Sequence, residues 1–176
     1  MDTPRPTAVS PRIDDPIELL LACHEKVRRF TMLAERLRAH LAQAGADAQA
    51  QDAARSVLRY FDVAAPLHHA DEDEDLYPAL RTLARPGLDD ALTAISAEHV
   101  VLNRAWSAVR PWLQACAEGQ ALSPPVELTL FVDTYRRHAQ REEAELYPHA
   151  QALTPTQTAA ICAAMVRRRS VPGSRP

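Results

Sequence analysis

Two similar segments of the sequence each place a histidine four residues before a glutamate. When "HHADEDEDLYPAL" is set over "HAQREEAELYPHA", His68 aligns with His138, Glu72 aligns with Glu142, and both segments share Leu-Tyr-Pro. Imidazole and carboxylate groups together can bind a transition-metal ion. A single His-x-x-x-Glu is more often an ordinary hydrogen-bonded pair on a helix. Two copies in the same register therefore favour a metal site.

Two further histidines, His24 and His99, follow aliphatic residues. Ile17 and Leu20 precede His24, and Leu92 and Ile95 precede His99, in each case by seven and four positions. Residues four apart on a helix share one face, so both histidines are predicted to face the apolar interior. Phe61 and Phe131, seven residues before His68 and His138, place the repeated motifs on an apolar face in the same way. The predicted inward set is His24, His68, Glu72, His99, His138 and Glu142.

Burying this set without partners would destabilise the protein. An unpaired ionised group in an apolar interior costs several kcal/mol, so a bound cation is the economical compensation. Imidazole and carboxylate ligands suit iron, manganese or zinc, and bridging carboxylates suit a pair of ions. A metal-free interaction bundle, in which the glutamates pair the histidines, is the alternative.

Several neighbours of the inward set have less defined roles. Asp71, Glu74 and Asp75 fall away from the face of His68 and are predicted to be solvated. His69 lies about 100° around the helix from His68 and corresponds to Ala139 in the second copy, which favours a role other than that of a ligand. Replacement of a predicted ligand by His69, Asp73 or Glu143 remains open. Tyr77 and Tyr147 are predicted to pack at the end of the bundle.

The elements that must position these residues are helices. Only four glycines and 5% aromatic residues favour helices over strands. Predicted helices span residues 16–44, 47–77, 88–117 and 123–147, followed by a short fifth helix from Thr154. The second helix is expected to stop or bend at Pro78, and further bends are expected at Pro66 and Pro111. This predicts an all-α fold, an antiparallel up-down-up-down four-helix bundle with a short C-terminal fifth helix. Residues 1–15 are predicted to be a disordered arm, 16–168 the bundle and 169–176 a disordered tail.

Composition excludes several classes of partner. A net charge of -3 provides no basic face for nucleic acid, and no apolar run approaches the length of a membrane span. The three cysteines are widely spaced and odd in number, which favours a reducing cytoplasm over a disulfide framework. One lysine among 20 basic residues is typical of a GC-rich bacterial genome.

At these residues the sequence resembles the hemerythrin-like family, the HHE cation-binding domain. The resemblance covers about residues 16–150 and includes "CHEKVRRF" at His24 and "AEHVVLNR" at His99. It implies a four-helix bundle around a non-haem diiron centre, bridged by oxide and carboxylates; zinc and manganese are the alternative metals. The implied terminal ligands are His24, His68, His99 and His138, and the implied bridges are Glu72 and Glu142.

One position departs from the family pattern. Oxygen carriers of the family have a further histidine where this chain has Asn103, which puts reversible oxygen carriage in doubt. The expected function is a metal-binding module that binds or senses O2, nitric oxide, peroxide or iron, with a diatomic or peroxide ligand at the metal. No catalytic residue is assigned. The alternatives are a diiron peroxidase or nitric oxide scavenger and a mononuclear zinc or iron protein. The sequence does not identify protein partners.

Overall fold

The structure, a computed structural model, describes residues 14–170. This part of the chain is 86% helix without strands and forms five helices. They are α1 (Pro16–Ala44), α2 (residues 48–81), α3 (Leu88–Ala117), α4 (residues 127–146) and α5 (Pro155–Ser170). A 3₁₀ turn, Tyr147–Ala152, connects α4 to α5. The all-α prediction is confirmed, whereas the up-and-down order of the helices stays a prediction.

The four long helices enclose a common interior. α1 and α3 each pack against both α2 and α4. The buried apolar residues form two separate clusters, one around Phe61, Trp106 and Phe131 and the other around Leu20, Leu80 and Leu146. On every long helix, the segment between these two clusters carries the predicted inward histidines and glutamates. The packing therefore places a polar layer between two apolar layers.

Local signals fix both ends of α1 and the start of α2. The carboxylate of Asp15 accepts a hydrogen bond from the backbone N–H of Ile17 at 2.7 Å, which caps α1 at its predicted start. Gly45 ends α1 with a φ of 72°, a conformation that favours glycine. Asp47 caps α2 through the N–H of Ala50. In the described residues, no helix is long and apolar enough to cross a membrane, and all three cysteines are free.

Two of the long helices contain π-helical turns. These turns are Tyr60–Ala64, Asp71–Leu76 and Glu142–Leu146, and a proline follows each by two positions, namely Pro66, Pro78 and Pro148. A proline ring clashes with the carbonyl four residues earlier in an α-helix. Here that carbonyl always belongs to the π turn, where the hydrogen bonds span five residues instead of four. The second helix therefore does not stop at Pro78, which was one of the two expected outcomes, and α2 continues through Pro78 to Arg81.

Several helix boundaries also differ from expectation. Pro111 lies inside α3, as expected, and α3 remains α-helical through it. The regular part of α4 begins at Glu127, four residues after the predicted start. α5 extends to Ser170, so the first two residues of the predicted disordered tail are helical, and Asp14 and Asp15 of the predicted arm are described. The rest of the predicted arm and tail lies outside the described residues.

The acidic run in α2 is anchored to α5. Asp71 is fully buried, and its carboxylate accepts hydrogen bonds from Arg168 at 2.5 Å and from Arg169. Arg168 also contacts Glu74 and Asp75, each at 2.8 Å. The prediction that Asp71 is solvated was therefore wrong, because α5 packs over this turn and brings two guanidinium groups to it. Arg169, assigned to the tail from sequence, is part of this anchor.

We expect Asp71→Ala to destabilise the metal-free protein by about 3 kcal/mol, because it leaves two partly buried guanidinium groups without their shared partner. Glu74→Ala is the matched control, since Glu74 contacts the same Arg168 but is 67% exposed. It should cost less than about 1 kcal/mol. Urea unfolding of both variants measures the difference, and equal effects would contradict the anchor.

Candidate metal centre

The six predicted inward side chains converge between the two apolar clusters. Each is at most 4% exposed. They form two groups of candidate ligands. Within each group, one candidate ligand atom per residue lies within 4.8 Å of all the others. The first group is His24, His68, Glu72 and Glu142, and the second is Glu72, His99, His138 and Glu142. Glu72 and Glu142 belong to both groups. The two groups are therefore adjacent and share their two carboxylates.

The two halves of the cluster are nearly equivalent. The rings of His24 and His68 meet edge to face with centroids 4.9 Å apart, and those of His99 and His138 do so at 4.8 Å. Tyr147 stacks near His24 as Tyr77 stacks near His99. The repeat recognised in the sequence is therefore a repeat of the site geometry.

Three of the histidines are oriented by carboxylates that bind their rings on the side away from the cluster. Nδ1 of His24, His99 and His138 donates to Glu143, Asp73 and Glu98 at 2.8, 2.7 and 2.9 Å, respectively. Since a carboxylate only accepts, Nδ1 carries the proton and Nε2 is left to face the centre. Asp73 and Glu143, which the sequence left open as replacement ligands, thus contact histidine nitrogens from outside the cluster. His68 has no such partner, and its Nδ1 is unpaired.

Two tyrosines cross the site and bind the shared carboxylates. The hydroxyl of Tyr77 donates to Glu142 at 2.5 Å, and that of Tyr147 donates to Glu72 at 2.6 Å. Each tyrosine comes from one copy of the repeat and each glutamate from the other. Sequence reasoning assigned both tyrosines to packing at the end of the bundle. The conserved spacing of Tyr after Glu in both copies was the signal that could have revealed this role.

We expect Tyr77→Phe and Tyr147→Phe each to weaken metal binding by about 10- to 100-fold, the usual effect of removing a group that orients a ligand. Competition with a chromogenic chelator measures the affinity. The control is Tyr60→Phe, which removes a hydroxyl that donates to the backbone carbonyl of Cys23 at 3.0 Å instead of to a carboxylate. Equal losses in all three variants would contradict the assigned role.

His69 is also part of the cluster. It is 6% exposed, its ring stacks on His99 with centroids 4.1 Å apart, and it forms a third group of candidate ligands with His99 and His138. His68 faces His24 and α1, whereas His69 faces α3. Two residues 100° apart can both face inward because the buried stripe of a helix is at least that wide. Asn103, one turn after His99, is exposed.

Burial and mutual contacts shift the ionisation of the cluster. Burial, together with the nearby Glu142, raises the pKa of Glu72 to about 7. Burial opposes the charge of Glu142 as well, but the imidazoles of His138 and His24, whose Nε2 atoms lie 3.0 Å from its carboxylate oxygens, hold its pKa well below the usual range. Burial also opposes the charge of His99, yet its hydrogen bond to Asp73 and the nearby carboxylates of the two glutamates raise its pKa to about 11. A cation that binds Nε2 of His99 must therefore displace a proton.

The buried polar atoms that lack a hydrogen-bond partner show whether a metal ion suits this cluster. In residues 14–170, the buried side-chain atoms without a hydrogen bond are Nδ1 of His68, Nε2 of His69, His99 and His138, and Oε2 of Glu72 and Glu142. Every one belongs to this cluster. An unpaired buried polar atom costs about 1–3 kcal/mol, and imidazole nitrogens with carboxylate oxygens are suitable donors for iron, manganese or zinc. The cluster thus defines a helical protein with a buried histidine–carboxylate metal site.

Comparison with known proteins places this class in a family. The profile of the hemerythrin HHE cation-binding domain matches residues 15–150. The chain is also 33% identical over 131 residues to an uncharacterized protein of Haemophilus influenzae, covering 74% of this chain and 76% of that protein. The chain therefore belongs to the hemerythrin HHE cation-binding family, as its sequence motifs predicted, and is a metal-binding protein.

Proposed function

We propose that the protein holds two iron ions and binds or senses a small ligand such as O2, nitric oxide or peroxide. Glu72 and Glu142 would bridge the two ions. His24 and His68 would bind one, and His99 and His138 the other. The observation that supports this pairing is that both glutamates belong to both groups of candidate ligands. Carboxylates shared in this way suit two ions better than one.

Other residues of the chain would hold the metal ligands in position before the small ligand binds. A bound iron pair supplies the redox chemistry with O2, nitric oxide or peroxide. Tyr77 and Tyr147 hold the carboxylates, and the acidic residues behind His24, His99 and His138 fix the rings. The apolar clusters on either side limit the access of water. An antiparallel order of α1 to α4, which short connections favour, belongs to the same proposal, as does a reducing cytoplasm for the three free thiols.

Metal analysis of the protein purified without chelators, joined to its absorption spectrum in air, tests the proposal. We expect about two irons per chain and near-ultraviolet bands from an oxide bridge. One zinc per chain without colour would overturn the pair of irons and indicate a mononuclear site. Peroxide turnover that His138→Ala abolishes would identify an enzyme, whereas stoichiometric binding without turnover supports the binding or sensing role.

A further inference from the structure

We infer that His69 provides a third imidazole ligand on the side of His99 and His138, so that the two metal positions differ in their histidine count. This inference rests on the proposed iron pair. The side of His24 and His68 has no equivalent, because the residue that corresponds to His69 in the repeat is Ala139, which is buried and has no ligand atom in its side chain. The near-equivalence of the two halves therefore ends at this position.

The first observation that supports this role of His69 is its distance from the other two histidines. A candidate ligand atom of His69 lies within 4.8 Å of one from His99 and one from His138. Two nitrogens that bind one ion at about 2.1 Å can be up to about 4.2 Å apart, so small side-chain movements suffice to bring the three nitrogens to one ion. His99 and His138 also belong to the group that contains Glu72 and Glu142. His69 is not a member of that second group, so an ion bound by all five residues requires the His69 side chain to move toward the carboxylates.

The second step is the unpaired nitrogen of His69. The side chain is 6% exposed, and its Nε2 has no hydrogen-bond partner. A buried imidazole that only filled space would leave this nitrogen unsatisfied at a cost of about 1–3 kcal/mol. Coordination removes that cost. Nε2 of His99 and of His138 are unpaired in the same cluster, which is the pattern expected of nitrogens directed at a common ion.

A packing role is the competing explanation. The ring of His69 stacks on His99 and, at 6.0 Å, on Tyr135. Phenylalanine preserves the stacking but has no nitrogen. His69→Phe therefore separates the two roles, and His69→Ala removes both. His149→Ala is the control for loss of a histidine outside the cluster, since His149 contacts Arg85 near the surface.

The experiment is an anaerobic Fe²⁺ titration against a competing chelator for the wild type and the three variants, each first shown to be helical by circular dichroism. We expect His69→Phe and His69→Ala to bind one of the two irons at least about tenfold more weakly, while His149→Ala matches the wild type. X-ray absorption at the iron edge should show one imidazole fewer per pair of irons in both His69 variants.

Wild-type affinity and imidazole count in His69→Phe would overturn the inference and leave the iron pair intact. Failure of the wild type itself to bind two irons would instead overturn the proposed function. If His69→Ala fails to fold, His69→Phe still decides the outcome. If His69→Ala alone loses affinity, the role of His69 is packing and the inference is wrong.

Discussion

Glu142→Gln should prevent tight binding of both irons, with the content falling from about two per chain to less than about one. Glu142 belongs to both groups of candidate ligands, so its loss affects both positions at once. Glutamine retains the length of the side chain and can still accept the hydrogen bond from Tyr77. It carries no negative charge, however, and an amide is a poor bridge between two cations. Elemental analysis after dialysis against a chelator measures the content.

The matched control is Glu145→Gln, one turn further along the chain. Glu145 is 41% exposed and pairs with Arg141 on the surface, outside the cluster. This variant should retain about two irons per chain. Retention of both irons by Glu142→Gln, with an unchanged spectrum, would show that Glu142 does not bridge the ions.

Removal of the metal should lower the thermal unfolding midpoint by about 10 °C or more. A ligand that binds only the native state, present at about 1,000 times its dissociation constant, stabilises that state by about 4 kcal/mol. For a chain of this size each kcal/mol corresponds to about 2–4 °C. The buried atoms left without partners in the cluster are the physical source of this linkage. Circular dichroism melts of the loaded and chelator-treated protein give the shift.

Glu142→Gln provides the internal control for the melts. Because it should hold little iron, chelator treatment should leave its midpoint unchanged. Identical melts for the loaded and stripped wild type would mean that the histidines and glutamates satisfy one another without metal, as in the metal-free interaction bundle.

The repeated motifs made much of the site predictable. His68 and Glu72, like His138 and Glu142, are linked by local spacing, and a helical period is enough to place such pairs on one face. Their apolar neighbours, such as Phe61 and Phe131, indicated which face is buried. The convergence of α1 and α3 on the same layer followed from the aliphatic residues before His24 and His99.

Contacts between distant segments were not predictable in this way. The burial of Asp71 depends on arginines almost 100 positions later, and no local period encodes that contact. The burial of His69 in the cluster was not predicted, because a face centred on His68 excludes it, whereas the two residues lie on either side of the centre of the inward face. The crossed tyrosines depend on how the two copies meet. The continuation of α2 past Pro78 depends on a π turn, which a period of 3.6 residues does not describe.

The depth of the cluster affects how ions reach it. None of the six side chains is more than 4% exposed, and the layers on both sides are apolar. Uptake therefore requires brief local separation of the helices, an event far rarer than collision with an ion. Loading should consequently be first order and independent of iron concentration once iron is in excess, and it should accelerate with mild denaturant. Exchange of the metal would then be slow, and its rate would reflect helix motion more than the concentration of iron.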